Sequence, residues 1–218
     1  MKEKTLKVSG IKKTYRTQTG SKVVLRKIDL EIRRGQKIAI LGRNGSGKST
    51  LIRIIGGIEE PDAGIIIKEM SVSWPIGYNG GTQGSLSGLD NITFLSRVYG
   101  ADHKMVLDFV ADFSELGMAL RDPLKTYSAG MRSRFNFALS MAFNFDCFLV
   151  DEGLAAGDFK FAEKCERAIK NKADSSLIMV SHSQQAIKDF CDTACVLENG
   201  RLVEFSNIND AINYYENT

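Results

Sequence analysis

Three short runs of this chain are apolar at nearly every position: Lys37–Leu41, Cys147–Val150 and Leu177–Val180. Unbroken β-rich runs of this length predict parallel strands buried on both faces. A glycine-rich turn follows the first run, and Ser49–Ile55 then reads as a helix; the other two lead into polar residues and then helices. Residues Lys22–Ile32 predict one or two strands ending at the turn Arg33-Arg34-Gly35-Gln36. Near the C-terminus, Ala194–Leu197 and Leu202–Phe205 flank Asn199-Gly200, a dipeptide that favours a two-residue hairpin turn. A last helix is expected around Asp210–Glu216.

Between Ser87 and about Leu120 the strand signals disappear. Ser87 with Asp90 reads as a helix start related to the capping box. Further on, Val106, Phe109, Val110, Phe113 and Leu116 fall on one helical face. Arg132–Phe143 is helical in pattern, with Phe135, Ala138, Leu139 and Ala142 on one face. The expected fold class is α/β: a mostly parallel core sheet, an antiparallel β portion and an inserted helical lobe at about residues 85–140 of a single domain spanning 1–218.

Composition changes this picture little. The 218 residues are 43% hydrophobic and 25% charged, with a formal charge of +3, and acidic residues are interspersed among the basic ones. No long basic run marks a nucleic-acid or membrane-surface tail, so no nucleic-acid partner is expected. The start lacks the apolar core of a secretory signal, and no apolar run approaches the roughly 18 to 20 residues that span a bilayer. Cys147, Cys165, Cys191 and Cys195 form neither a CxxC pair nor a metal-ligand cluster, and read as core residues of a reduced compartment. A cytoplasmic protein that reaches a membrane only through partners is expected.

Chemistry concentrates at three places. Gly42-Arg43-Asn44-Gly45-Ser46-Gly47-Lys48-Ser49 is a complete GxxxxGK[ST] phosphate loop, between a buried strand and a helix. Its glycines let backbone N–H groups turn toward phosphate oxygens, and the helix N-terminus adds partial positive charge. Gly42, Asn44, Gly45, Ser46, Gly47, Lys48, Ser49 and Thr50 are the expected nucleotide contacts, with Lys48 on the β- and γ-phosphates and Ser49 on Mg²⁺. Asp151-Glu152 closes the run Cys147–Val150, which puts two carboxylates at the C-terminal edge of a strand, where doubly wound sheets bind ligands. Asp151 suits the Mg²⁺ shell, and Glu152 suits polarising an attacking water. Tyr127-Ser128-Ala129-Gly130-Met131 precedes the helix expected near Arg132 and offers a serine and small residues at a helix start.

The order of these motifs resembles the nucleotide-binding domains of ABC transporters over nearly the whole chain. The resemblance implies an ATP- and Mg²⁺-dependent ATPase with a RecA-like core, working as a homodimer with two shared sites. Tyr127–Met131 matches the signature segment, whose Ser128 and Gly130 would cap ATP held by the partner copy. Gln83 matches the glutamine linking metal and γ-phosphate to the membrane subunit, and His182 the switch histidine at the γ-phosphate. Asp158 matches the aspartate at the dimer interface, and Tyr15 fits the aromatic that stacks on adenine. Two departures stand out. Tyr127, Ala129 and Met131 replace three residues of the usual Leu-Ser-Gly-Gly-Gln, and Gly157 is expected to loosen its loop.

Three stretches narrow the resemblance. Ser73–Gly77 leading into Gly80–Gly88, Lys125–Arg134 and Ser140–Phe143 are similar to the ATPases of capsular polysaccharide exporters of the KpsT type. The interval between Lys48 and Ser128 holds a compact lobe, unlike the coiled coils of DNA-repair relatives, and there is one cassette, unlike translation-factor relatives. The chain stops soon after its last expected helix, which favours the capsule branch over O-antigen exporters with an added carbohydrate-binding domain. The implied setting is the cytoplasmic side of a bacterial inner membrane, with a polytopic permease subunit, a periplasmic co-polymerase and an outer-membrane channel as partners. The alternatives are an ATPase for another lipid-linked glycan, of O-antigen or teichoic-acid type, and a soluble nucleotide switch.

Overall fold

The computed structural model describes residues 4–18, 20–78, 81–152 and 159–217. Backbone contacts divide the chain into two compact units. The first comprises Met1–Pro75, Phe145–Glu152 and Ala173–Thr218; the second comprises Ile76–Asn144 and Gly153–Lys172.

Two sheets build the first unit. Strands β1 (Thr5–Thr17), β2 (Gly20–Arg33) and β4 (Ala63–Lys68) form an antiparallel sheet in the order β2-β1-β4. The second sheet has six strands: β3 (Lys37–Leu41), β5 (Val72–Pro75), β6 (Cys147–Asp151), β7 (Ser176–Val180), β8 (Thr193–Glu198) and β9 (Arg201–Phe205). Their order is β5-β6-β7-β3-β8-β9, parallel except for β9. The three apolar runs are β3, β6 and β7, and every residue of Ser176–Val180 is buried. Burial on both faces selects such runs for the middle of a parallel sheet. Asn199 and Gly200 have φ of 50° and 74°, the left-handed pair of a tight hairpin, and they join β8 to β9 as expected. Helices α1 (Lys48–Gly56), α6 (Gln184–Phe190) and α7 (Ile208–Glu216) complete the unit. Leu51, Ile52, Ile54 and Ile55 of α1 join Leu6, Ile28 and Ile32 of the antiparallel sheet and Ile40, Leu149 and Ile178 of the parallel one in a single core.

Lys22–Ile32 belongs to one strand, not two, and its partner β1 was not evident in the sequence. Paired outward Lys and Glu residues such as Lys7 and Glu31 dilute the apolar alternation of these strands. Strand β4 was also hidden, because Ile65 and Ile67 lie exposed and the alternation therefore carries no burial signal.

The second unit is helical among its described residues, with α2 (Gly88–Val98), α3 (His103–Ser114), α4 (Ala129–Ala142) and α5 (Phe159–Lys170). Ser87 and Asp90 form a reciprocal capping box at α2, as their spacing predicts. Helix α3 buries Val106, Val110 and Phe113, but Phe109 is exposed and Leu116 lies beyond the helix, which stops at Ser114 before Glu115 at φ 58°. Helix α4 begins at Ala129, three residues before the expected start, because Ser128 caps it. From Phe135 to Met141 it is buried all round, unlike the one-faced helix its pattern suggested. Phe113 stacks on Phe137 at 5.6 Å, and both meet Phe161 edge-on.

All four cysteines are buried and free. Burial pushes each thiol up to about 12. A thiol reagent at pH 8 is therefore expected to label none of them in the folded protein and all four in guanidinium. Stoichiometric labelling of the native chain would show that the core around these residues opens readily.

Candidate active site

The phosphate loop follows β3 and ends at α1, and its shape is set by two close approaches. Gly42 has φ 154°, and a Cβ there would lie 2.6 Å from the Leu197 carbonyl oxygen and 2.7 Å from Ser46 Oγ. Gly47 caps α1 at φ 109°, and a Cβ would lie 2.6 Å from Val24 Cγ1. Both positions therefore need glycine for space as well as for dihedral freedom. Among the described residues the buried Ser46 hydroxyl has no hydrogen-bond partner, a polar atom suited to an oxygen-rich ligand. The Lys48 ammonium donates to the carbonyls of Gly42 at 2.7 Å and Arg43 at 3.1 Å. Burial lowers its pKa from the usual lysine value, opposed by the negative charges of Glu152 and Asp151.

Strand order brings the other groups to this loop. β6, β7 and β3 are neighbours, so the residues after their C-terminal ends share one edge of the sheet. Asp151 at the end of β6 accepts a hydrogen bond from Ser49 Oγ at 3.0 Å. Burial raises the Asp151 pKa; the Ser49 bond opposes this and the Glu152 charge adds to it. Glu152 follows with φ 48°, a left-handed conformation that costs a residue with a side chain about 1–2 kcal/mol. Its N–H donates to the Val180 carbonyl of β7 at 2.9 Å. Two residues on, His182 Nε2 lies 2.9 Å from Glu152 Oε1.

Lys48, Ser49, Asp151, Glu152 and His182 thus converge. A cleft of about 540 Å³ is lined by Tyr15, Asn44, Gly45, Lys48, Ser49, Thr50 and Glu152, together with Lys22, which the sequence did not single out. The Ser49 and Asp151 oxygens are hard donors at the spacing of a bound-cation pair, so these residues fit Mg²⁺. The buried Thr50 hydroxyl is engaged by the Tyr15 hydroxyl at 3.3 Å and Arg53 Nη2 at 3.4 Å.

Gln83, Ser128 and Gly130 belong to the second unit. The Gln83 peptide is gripped from both sides by the buried Asn91: its N–H donates to Asn91 Oδ1 at 2.7 Å, and its carbonyl accepts from Asn91 Nδ2 at 3.1 Å. Ser128 Oγ accepts from the Met131 N–H at 3.2 Å, and a Cβ built at Gly130 would meet, among the described residues, nothing within 4 Å beyond its chain neighbours and its own helix. Tyr127 is buried, donates to the Ala119 carbonyl at 2.7 Å and meets Phe135 edge-on. Its departure from leucine is thus a change in the lobe's core, accommodated by Gly88, where a Cβ would lie 2.8 Å from the phenol oxygen. Asp158 and Gly157 lie outside the described residues.

A phosphate loop at one end of a parallel sheet, with an Asp-Glu pair on the next strand but one, defines the class as an α/β phosphate-loop nucleotide-binding domain. The ABC transporter family model matches residues 25–155, and the chain belongs to that family. It is 48% identical to the ATP-binding protein BexA of Haemophilus influenzae, over 98% of this chain and 99% of that protein. It is 46% identical to the polysialic acid transport ATP-binding protein KpsT of Escherichia coli, over 97% and 96%. Among solved structures, a dimeric ATP-binding cassette in a post-hydrolysis state, bound to ADP and Pi, shares the fold with a TM-score of 0.75 at 22% identity, over 92% of this chain and 98% of that one.

Asn91, Arg53 and Glu59 are the site-supporting residues that the sequence did not reveal. Each acts through a contact whose partner lies on another loop or element, and no local spacing announces it. Truncating Asn91 to alanine strips the Gln83 N–H of this partner, while the Gln83 carbonyl keeps the Leu86 N–H at 3.1 Å. A stability loss of about 2–3 kcal/mol is expected in urea unfolding. A change near zero would mean that the Gln83 peptide is held by something else.

Proposed function

We propose that this chain is the ATP-hydrolysing subunit of an exporter that moves lipid-linked capsular polysaccharide across the bacterial inner membrane. The convergence of Lys48, Ser49, Asp151, Glu152 and His182 at one sheet edge carries the catalytic half of this reading. The cargo rests on near end-to-end similarity to KpsT, named for polysialic acid transport, and to the capsule polysaccharide export ATP-binding protein CtrD of Neisseria meningitidis, 47% identical over 96% of this chain and 98% of that protein, which favours it over other lipid-linked glycans. A soluble switch has no comparable support.

In the proposed cycle Lys48 grips the β- and γ-phosphates, and the Tyr15 ring takes the adenine. Ser49 and Asp151, with Gln83, would hold Mg²⁺, which would supply positive charge at the phosphate oxygens. Glu152 orients a water and takes its proton as the water oxygen attacks the γ-phosphorus and the bond to the β-phosphate oxygen breaks, releasing ADP and phosphate. His182, with Nε2 2.9 Å from Glu152 Oε1, takes the role of following the γ-phosphate in this cycle. Ser128 and Gly130 of a second copy, with Asp158 at the interface, complete each of two sites in a homodimer. The second unit acts as the helical lobe that passes closure to a polytopic permease. No helix of the described residues is long and apolar enough to cross a membrane, so the lipid-facing work falls to that subunit. A periplasmic co-polymerase and an outer-membrane channel extend the route.

Glu152→Gln should bind ATP but hydrolyse it at least about 100-fold more slowly, accumulating a closed dimer. Unchanged turnover would remove Glu152 from catalysis. Lys48→Ala should abolish hydrolysis, and normal turnover would overturn the phosphate-loop assignment. With Glu152→Gln as the sole copy in its host, lipid-linked polymer should accumulate inside cells with a bare surface. Normal surface polysaccharide alongside inactive ATPase would leave the enzyme assignment standing and the cargo wrong.

A further inference from the structure

Tyr15 lies near the turn end of the β1–β2 pair, opposite Lys22, two positions from the closing Thr17–Gly20 pair. The ring packs against the core, and the neighbouring Thr14 N–H donates to Asp62 Oδ2 at 2.7 Å; what orients the hydroxyl end of the ring is a separate tie to α1, the helix that carries Lys48 and Ser49. The tie is present. Helix α1 ends at Gly56 and is capped by Gly57, whose φ of 78° turns the chain back so that the N–H groups of Ile58 and Glu59 reach the Arg53 carbonyl. The turn delivers the Glu59 carboxylate to the Tyr15 hydroxyl, which donates to Oε1. Arg53 Nε, one helical turn along α1 from Ser49, binds the other oxygen at 3.2 Å. Lys13 Nζ closes the group, 3.2 Å from Glu59 Oε1 and 5.6 Å from the centre of the Tyr15 ring. The Tyr15 hydroxyl also meets Thr50 Oγ1 at 3.3 Å.

We propose that Glu59, clamped by Arg53 and Lys13, is a positioning residue that fixes the Tyr15 ring relative to the phosphate loop and so sets the affinity for the nucleotide base. The side chains of Glu59 and Lys13 are 19% and 14% exposed, so the pair is shielded from most solvent screening. Burial pushes the Glu59 carboxyl up, yet the hydrogen bonds from Tyr15, Arg53 and Lys13 outweigh it and leave its pKa below the usual carboxylate range. The carboxylate therefore stays charged as an acceptor for the phenol, and charge-assisted bonds are the strong ones. Phenylalanine would keep the ring and lose the tie. The inference rests on Tyr15 receiving the base.

ATP hydrolysis by the purified chain, with Tyr15→Ala, Tyr15→Phe, Glu59→Ala and the Tyr15→Phe/Glu59→Ala double variant, tests it. Tyr15→Phe and Glu59→Ala should each raise KM for ATP roughly three- to tenfold with kcat unchanged, and the double variant should be no worse than either. A general structural role for Glu59 would move kcat or add to the Tyr15→Phe effect, and either result overturns the proposal. If Tyr15→Ala raises KM while Tyr15→Phe does not, the ring matters and the tie does not, and the proposal fails alone. If Tyr15→Ala leaves KM unchanged, the base-stacking reading fails and takes the proposal with it. Should Glu59→Ala not fold, Tyr15→Phe decides, because it removes the tie and leaves the Arg53–Glu59–Lys13 cluster intact.

Discussion

The phosphate loop is pinched between the two sheets, and the rest of the site depends on that pinch. On one side its first glycine lies against the Leu197 carbonyl of β8; on the other its last lies against Val24 of β2. Neither approach leaves room for a Cβ. Because α1 starts where the second approach occurs, Lys48 and Ser49 take their positions from packing between sheets, not from the loop's own preferences. The mixed core that joins the antiparallel strands to the parallel ones therefore shapes the phosphate loop as well as stabilising the fold.

What the sequence revealed follows a physical boundary. Short apolar runs buried on both faces announce themselves, and β3, β6 and β7 were legible for that reason. The acidic pair at the end of β6 was legible because strand ends are where such sheets bind ligands, and the histidine beyond β7 was legible through the family's motif order. Two strands with solvent-facing positions, β1 and β4, were not. β4 shows its isoleucines to water, and β1 spreads its buried positions over register shifts, so neither carries a clean alternation. Supporting polar contacts were invisible for a different cause. Asn91 and Glu59 are ordinary residues until the chain folds a partner against them.

The segment Tyr127–Met131, matched to the family signature, shows how a family pattern can change at a packing position. Its first residue is a core position: Tyr127 points into the lobe and bonds the Ala119 carbonyl. Ser128, the second, caps α4 with the hydroxyl that would also face a phosphate. The aromatic change thus falls on packing, which Gly88 makes possible, and leaves the polar position as the pattern requires. Ladder bonds from Lys125 to Gly84 and from Leu124 to Leu86 run the approach to this segment alongside the exit from Gln83. Two parts of the lobe far apart in sequence are consequently one mechanical piece.

Glu152 sits in a backbone conformation that glycine adopts freely and glutamate does not. With Glu152 in its proposed role, that geometry sets stability and turnover against each other at a single position. Directed evolution scored only on heat resistance would drift toward glycine or asparagine here, and would deliver a tougher protein with its carboxylate gone.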